Sequence, residues 1–199
     1  VQIKLIKKGW STDKKYHITD VKNREFVLRV ADISEYKKKQ LEYNTMVKIA
    51  SIRINMSKPL AFGICNNNLN CYILVSYIEG EQVELELRKY DLLEQYEIGY
   101  KAGIMLKKIH EIPIKDSGDW EQEYLKKIKE RVQAFDDCGI ESFEVEEMIQ
   151  DVYQHIDLLK DRLYCIQHGD YHVGNLIIDE DAKVSIIDFN RIKIGDPYY

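Results

Sequence analysis

Between Tyr164 and Asp188 the chain alternates short apolar runs with polar turns, and this leaves the backbone few choices. Tyr164–Gln167, Asn175–Ile178 and Lys183–Ile187 each read as a short strand. Asp179-Glu180-Asp181-Ala182 between the last two is a hairpin signal. The segment His168-Gly169-Asp170-Tyr171-His172-Val173-Gly174-Asn175 is then a loop held at both ends by strands. It carries Asp170 and Asn175, and the hairpin that follows ends on a second carboxylate, Asp188, ahead of Phe189.

Upstream, the first third is β-rich. Lys14–Thr19 and Glu25–Val30 carry strand-forming residues, and Asp20–Arg24 between them suits a hairpin turn. A helix is expected over Ser34–Ala50, with Ser34 as its N-cap. Its expected stripe is Tyr36, Gln40, Tyr43, Val47 and Ala50. Leu60–Cys65 and Cys71–Tyr77 follow as strands around an Asn-rich turn. The period then becomes helical. Lys89–Glu111 repeats Leu92, Tyr96, Gly99, Gly103, Leu106 and His110 at helical steps, and Pro113 stops it. Gly99 and Gly103 each weaken a helix by about 1 kcal/mol relative to Ala, which predicts close approach of a neighbouring element there. Helices over Trp120–Phe135 and Val145–Lys160 complete the series. Strands with one helix, then helices with a short hairpin, predict a two-lobed α+β architecture.

Composition narrows the function classes. With 45% hydrophobic and 32% charged residues, the 199-residue chain has the make-up of a globular protein large enough for its own core. The four cysteines have no metal-type or redox-type spacing and suit a reducing compartment. No stretch reaches the roughly 20 apolar residues of a membrane span. The first eight residues are too charged for a signal peptide, so a cytoplasmic location is expected. The chain starts without Met, so further residues are expected upstream. Charge is uneven: residues 1–60 hold 14 Lys/Arg against 6 Asp/Glu, and residues 111–160 hold 6 against 14. The basic part is broken by acids and carries no nucleic-acid motif, so neither a nucleic-acid partner nor a membrane is expected.

The Asp170, Asn175 and Asp188 set fits phosphoryl transfer. That reaction needs a carboxylate for the acceptor hydroxyl's proton, and hard oxygen ligands that hold Mg²⁺ on the phosphates. Asp170 suits the first role, and Asn175 with Asp188 the second. The spacing resembles the protein-kinase catalytic loop and its metal-binding Asp. With Gly169 in the loop, Asn190 after Asp188-Phe189, and Gly195-Asp196-Pro197 beyond, it is more similar to the aminoglycoside phosphotransferase and choline kinase branch.

The resemblance implies a bilobal protein-kinase-like fold, a small β-rich N-lobe with one helix and a mainly helical C-lobe. Residues 1–78 would form the nucleotide-binding lobe. Residues 79–199 would form the catalytic lobe, incomplete at its C-terminal end because family members continue with further helices. It implies Asp170 as the base, Asn175 and Asp188 as Mg²⁺ ligands, and His168 and His172 as supports. Arg29, in Phe26-Val27-Leu28-Arg29-Val30, stands where a strand cation grips the nucleotide phosphates. Glu42 on the following helix is its expected partner, with Glu35 as the competitor. In Lys8-Gly9-Trp10-Ser11-Thr12-Asp13-Lys14, Ser11 and Thr12 would reach phosphate. Ser76, Tyr77 and Ile78 would present backbone groups to the nucleobase. The donor would be ATP, with GTP possible. The acceptor would be a small hydroxyl compound. The acidic stretch Asp116–Lys160 suits a polycation such as an aminoglycoside, while Tyr124, Phe135, Phe143 and Tyr153 would suit choline. Sugars, homoserine-like compounds and macrolides stay open, as does a catalytically silent nucleotide-binding module.

Overall fold

The structure, a computed structural model, describes residues 1–7, 12–114 and 120–198. Its elements run β1 (Gln2–Ile6), β2 (Lys14–Thr19), β3 (Glu25–Asp32), α1 (Tyr36–Ser51), β4 (Pro59–Cys65), β5 (Asn70–Ser76), β6 (Glu81–Gln82), α2 (Val83–Glu86) and α3 (Leu92–His110). They continue with α4 (Trp120–Asp137), α5 (Phe143–Gln154), β7 (Cys165–Gln167), β8 (Leu176–Ile178), β9 (Val184–Ile186) and β10 (Lys193–Gly195). The chain divides into two compact units: Val1–Ile112 with His168–Lys193, and Pro113–Gln167 with Ile194–Tyr199.

The first unit is built on a five-stranded antiparallel sheet in the order β1-β2-β3-β5-β4. The turns between its strands use residues that tolerate left-handed backbone. Asn66, Asn67 and Asn68 have φ of 52°, 52° and 65°, so the Asn cluster forms the β4–β5 turn as expected. In the β2–β3 turn the Asp20 carboxylate accepts from the Lys22 and Arg24 backbone N–H groups.

Helix α1 packs on β4 and β5, and it corrects two expectations. Ser34 does not cap it. The chain enters through a 3₁₀ turn at Ile33–Glu35, where Asp32 accepts from the Ser34 N–H and hydroxyl, and α1 starts at Tyr36. Its buried stripe is Lys39, Glu42, Met46 and Ile49. From the expected stripe, Val47 is exposed, while Tyr36 and Tyr43 lie half-buried on the flank against Phe62 of β4. The apolar periodicity therefore marked the flank, and the centre of the face holds two charges.

Helix α3 begins with a capping box, in which the Asp91 carboxylate accepts from the Glu94 N–H and the Glu94 carboxylate from the Asp91 N–H. It buries Ile98, Ala102, Met105 and Ile109 and packs on β9. The expected stripe through Leu92 and Tyr96 is exposed instead. Outside the helix's own backbone and the adjoining residues, no described atom lies within 4 Å of where a Cβ would stand on Gly99 or Gly103, so the close approach expected there is not found among the described residues.

The same unit holds the three-stranded sheet β6-β8-β9. The segment after α1 docks on β9. Ser57 N–H donates to the Ile186 carbonyl, Ile186 N–H to the Asn55 carbonyl, and Asn55 Nδ2 to the Val184 carbonyl. The second unit contains α4 and α5. Ser142 caps α5, which ends at Gln154, and a separate turn over Ile156–Leu159 completes the stretch expected as one helix. Within this unit Trp120 packs on Tyr124 and Tyr164, and Arg162 pairs with Asp196. Among the described residues no helix is long and apolar enough to cross a membrane.

The two readings of α1 separate experimentally. Ile49 is fully buried and Val47 is 46% exposed. Ile49→Ala should lower stability in urea unfolding by about 2–5 kcal/mol. Val47→Ala should stay within about 0.5 kcal/mol of the parent.

Candidate active site

Every residue from which a phosphotransfer site would be built, Ser11 apart, is described within the first unit. Ser11 lies outside the described residues, and Thr12 is exposed just ahead of β2.

The loop after His168 is fixed by its own backbone and side chains. The His168 imidazole is buried, and its Nε2–H donates to the Ile187 carbonyl at 3.0 Å, next to Asp188. Burial holds this imidazole below its ordinary pKa, which keeps it neutral and suits it to bracing rather than proton transfer. The ring also packs on Phe189 and Tyr171, at centroid distances of 4.7 and 5.5 Å. Gly169 has φ +79°, and a Cβ there would collide with the Arg191 carbonyl. The position thus demands glycine twice over. Tyr171 ties the loop to α3 by donating its hydroxyl to the Ala102 carbonyl at 2.7 Å.

Asp170 and Asn175 meet directly. Asn175 Nδ2 donates to the Asp170 carbonyl at 2.9 Å and to Asp170 Oδ2 at 3.2 Å. With its nitrogen so used, the Asn175 amide oxygen is the atom left for a ligand. Asp170 Oδ1 faces Arg191 Nη1 at 3.4 Å and His172 Nε2 at 4.0 Å. His172 Nδ1 accepts from the Gly174 N–H at 3.1 Å, and its Nε2 lies 3.2 Å from Asn175 Nδ2, so the ring is held between the two.

Asp188 sits just beyond β9 with φ 60°, a left-handed conformation that non-glycine residues rarely hold. Such conformations persist where surrounding structure over-determines them. Here the preceding carbonyl is held by His168, and the following Phe189 is fully buried. Asp188 Oδ2 pairs with Lys15 Nζ at 3.0 Å, while Oδ1 is buried with no hydrogen-bond partner. An orphaned buried carboxylate oxygen is costly by itself, and a bound cation would satisfy it. Asp188 and Asn175 thus offer the hard oxygens that Mg²⁺ takes. No group of three or more His, Cys, Asp or Glu among the described residues forms a cage of its own.

Arg29 on β3 lies against α1. Its Nη1 donates to Glu42 Oε1 at 2.5 Å, so Glu42 is its helix partner, while Glu35 pairs with Lys38 on the surface. Two further members of this cluster escaped sequence reasoning. Asp13 Oδ2 accepts from Arg29 Nη2 at 2.7 Å and from Lys39 Nζ at 2.6 Å, and Lys39 also reaches Glu42. All four side chains are 3–7% exposed. Burial would lower the Arg29 pKa, but Glu42 and Asp13 outweigh it, so Arg29 is held above its ordinary value. Burial likewise opposes ionisation of Asp13, yet Arg29 and Lys39 hold its carboxyl below the ordinary 3.8. The helical spacing of Lys39 and Glu42 was a visible signal. Nothing in the local sequence marks Asp13 as their partner.

At the end of β5, Ser76 N–H donates to the Lys58 carbonyl and Tyr77 N–H to the Glu25 carbonyl. Tyr77 stacks on His17 at 4.4 Å. Of Ser76, Tyr77 and Ile78, this leaves Ile78 as the residue whose N–H is not used in those pairings.

The sheet with its buried Arg–Glu pair, and the braced loop followed by a hairpin and carboxylate, define a protein-kinase-like fold. Solved structures agree. An amicoumacin kinase in complex with AMP-PNP, Ca²⁺ and amicoumacin is similar with TM-score 0.66 at 16% identity, over 99% of this chain and 61% of that one. The streptomycin–ATP–APH(2")-IIa ternary complex gives 0.71 at 18% identity, over 99% and 68%. The GDP complex of aminoglycoside 2'-phosphotransferase-IIIa gives 0.73 at 12%, over 99% and 69%. No curated protein sequence matches the chain. The profile of the phosphotransferase enzyme family matches residues 2–199, and the chain belongs to that family.

The buried charge cluster generates two expectations. Arg29→Ala removes the cation that the buried Asp13 and Glu42 carboxylates share, and should lower unfolding stability by about 3–5 kcal/mol. Asp13 has a folded-state pKa below its unfolded value, so its contribution is complete above about pH 3.8 and is lost as pH falls through the folded pKa. Urea midpoints of the parent and Asp13→Asn should therefore differ at pH 7 and converge on acidification below pH 3.8.

Proposed function

We propose that this chain is the nucleotide-binding and catalytic part of a small-molecule kinase. It would move the γ-phosphoryl of ATP, or of GTP, to a hydroxyl of an aminoglycoside-like acceptor. Residues 1–78 form its nucleotide-binding lobe and residues 79–199 its catalytic lobe, and it works in the cytoplasm. One observation carries the reading: Asp170 and Asn175 hydrogen-bond to each other on a braced loop, and Asp188 keeps an unpaired buried oxygen in left-handed backbone. Such rigidity is what phosphoryl transfer asks of a protein, since its catalysis is mostly positioning and charge stabilisation.

In this reading Asp170 orients the acceptor hydroxyl and takes its proton as the oxygen attacks phosphorus. The bond from the γ-phosphorus to the bridging oxygen breaks, and the nucleoside diphosphate leaves. Asn175 and Asp188 hold Mg²⁺, which when bound neutralises charge on the transferring phosphates. Arg29, locked by Glu42, sets the positive end of the phosphate site, with Ser11 and Thr12 in the covering loop. Ser76, Tyr77 and Ile78 border the nucleobase. His168 and His172 hold the loop.

Nucleotides bound in similar structures support the donor, since these are complexes with AMP-PNP, ATP and GDP. Streptomycin and amicoumacin in two of them favour a polar, cationic antibiotic as acceptor. The chain spans 61% of the amicoumacin kinase, so the acceptor assignment concerns the whole protein of which these residues are part.

Turnover of an acceptor panel (aminoglycosides, choline, sugars, macrolides) with ATP and GTP tests the reading. Asp170→Ala should cut transfer by about 10²–10⁴-fold while nucleotide binding, followed by calorimetry, is kept. Unchanged turnover would remove Asp170 from the role of base. Nucleotide binding by the parent without transfer to any acceptor would favour a silent nucleotide-binding module instead.

A further inference from the structure

Resting on the phosphotransfer reading, we infer that Lys15 on β2 is the side chain that contacts the nucleotide's β- and γ-phosphates, while Arg29 serves as its fixed support. Among cationic side chains, the sequence resemblance pointed to Arg29, beside the Ser11 and Thr12 hydroxyls. The structure pairs all three guanidinium nitrogens of Arg29 with carboxylates, Nη1 with Glu42 and Nε and Nη2 with Asp13, and the side chain is only 6% exposed. A phosphate reaching it would have to enter between two buried carboxylates.

Lys15 is placed differently. Strand pairing sets Lys15 directly opposite Arg29, so the two cations share one face of the β2–β3 ladder. Like charges in that position repel, and the arrangement is stable only with anions beside them. Asp13 and Glu42 serve Arg29. Lys15 has Asp188 alone, through Nζ to Oδ2 at 3.0 Å, and its side chain is 13% exposed. Its ammonium therefore already stands at the carboxylate proposed to carry the metal. Metal–oxygen bonds to Mg²⁺ are about 2.1 Å long, so phosphate oxygens on a metal at Asp188 would lie within reach of Lys15. When Asp188 turns its charge to the metal, Lys15 loses its one anion, and the nearest replacement is the phosphate on that same metal. A flexible stem with three rotatable donors suits such an exchange, which a guanidinium clamped on three sides cannot make. No bond is made or broken in this step beyond the exchange of ion-pair partners.

The test uses the parent chain, Lys15→Met and Lys15→Arg. Affinity is read by titration calorimetry with Mg²⁺ and AMP-PNP or GMP-PNP, whichever the parent binds, and with the matching nucleoside, which has no phosphates. Thermal unfolding is followed in parallel. Lys15→Met should weaken triphosphate binding by about tenfold or more, the scale of one charge-assisted contact. Nucleoside affinity and the unfolding midpoint should stay near those of the parent, and Lys15→Arg should recover part of the loss. Unchanged triphosphate affinity in Lys15→Met, or an equal loss for nucleoside and triphosphate, overturns the role of Lys15 and leaves the kinase reading intact. Failure of the parent to bind either analogue overturns the kinase reading and this inference with it.

Discussion

Four buried charges anchor the first unit. Arg29 and Lys39 are two cations, Asp13 and Glu42 two anions, and each makes short contacts with members of the opposite sign. Taking even one such group out of water unpaired costs several kcal/mol, and an ion pair offsets this only with good geometry. The set must therefore form as a whole. Arg29 comes from β3, Lys39 and Glu42 from α1, and Asp13 from the segment entering β2. The only arrangement that pairs all four fixes where α1 lies on the sheet and where β2 begins. Apolar neighbours Met46 and Ile49 continue the same helix face and supply the hydrophobic contact that the charges do not. Position comes from the charges, and cohesion from the two side chains below them.

A second constraint fixes the loop and hairpin. The His168–Ile187 hydrogen bond joins the start of the His168–Asn175 loop to the residue before Asp188, across nineteen residues of sequence. Gly169 allows the backbone to pass the Arg191 carbonyl, and Asp188 takes up left-handed backbone on the other side. The backbone turns sharply beside both Asp170 and Asp188, and His168 and its bond to Ile187 tie the two turns together. Docking of Asn55 and Ser57 on β9 then carries the position of the α1 end to the hairpin, so the two constraints are mechanically joined.

This division explains which parts were legible in the sequence. The loop and hairpin were readable because their signals are local: short apolar runs, a turn of acidic residues, and a histidine, glycine and carboxylate in fixed order. The positions of β2 to β5 and β7 to β9 followed for the same reason, and the Asn cluster gave its turn, while β1, β6 and β10 were not placed from the sequence. The α1 face was misread because hydrophobic periodicity treats Lys39 and Glu42 as surface residues, and here they are the centre of the buried stripe. The stripe drawn through Tyr36 and Tyr43 fell on a flank that packs against Phe62. On α3 the glycine spacing suggested a packed face, yet burial follows Ile98, Ala102, Met105 and Ile109. Pairing across distant segments, as of Asp13 with Arg29 or Lys15 with Asp188, leaves no local trace at all.

Charge balance links the fold back to the chemistry. Arg29, Lys39, Asp13 and Glu42 sum to zero, and so do Lys15 and Asp188, so each of these two groups is balanced by its own side chains. Binding there is then an exchange of partners rather than the filling of an unpaired field. A lone phosphate would have to draw a cation from its carboxylate and leave that carboxylate buried without compensation. A lone divalent ion would do the converse to Lys15. Under the proposed function, a metal and a phosphate arriving together would give Asp188 and Lys15 each a new partner of opposite sign at once. Such an exchange would favour the metal–nucleotide complex over either component.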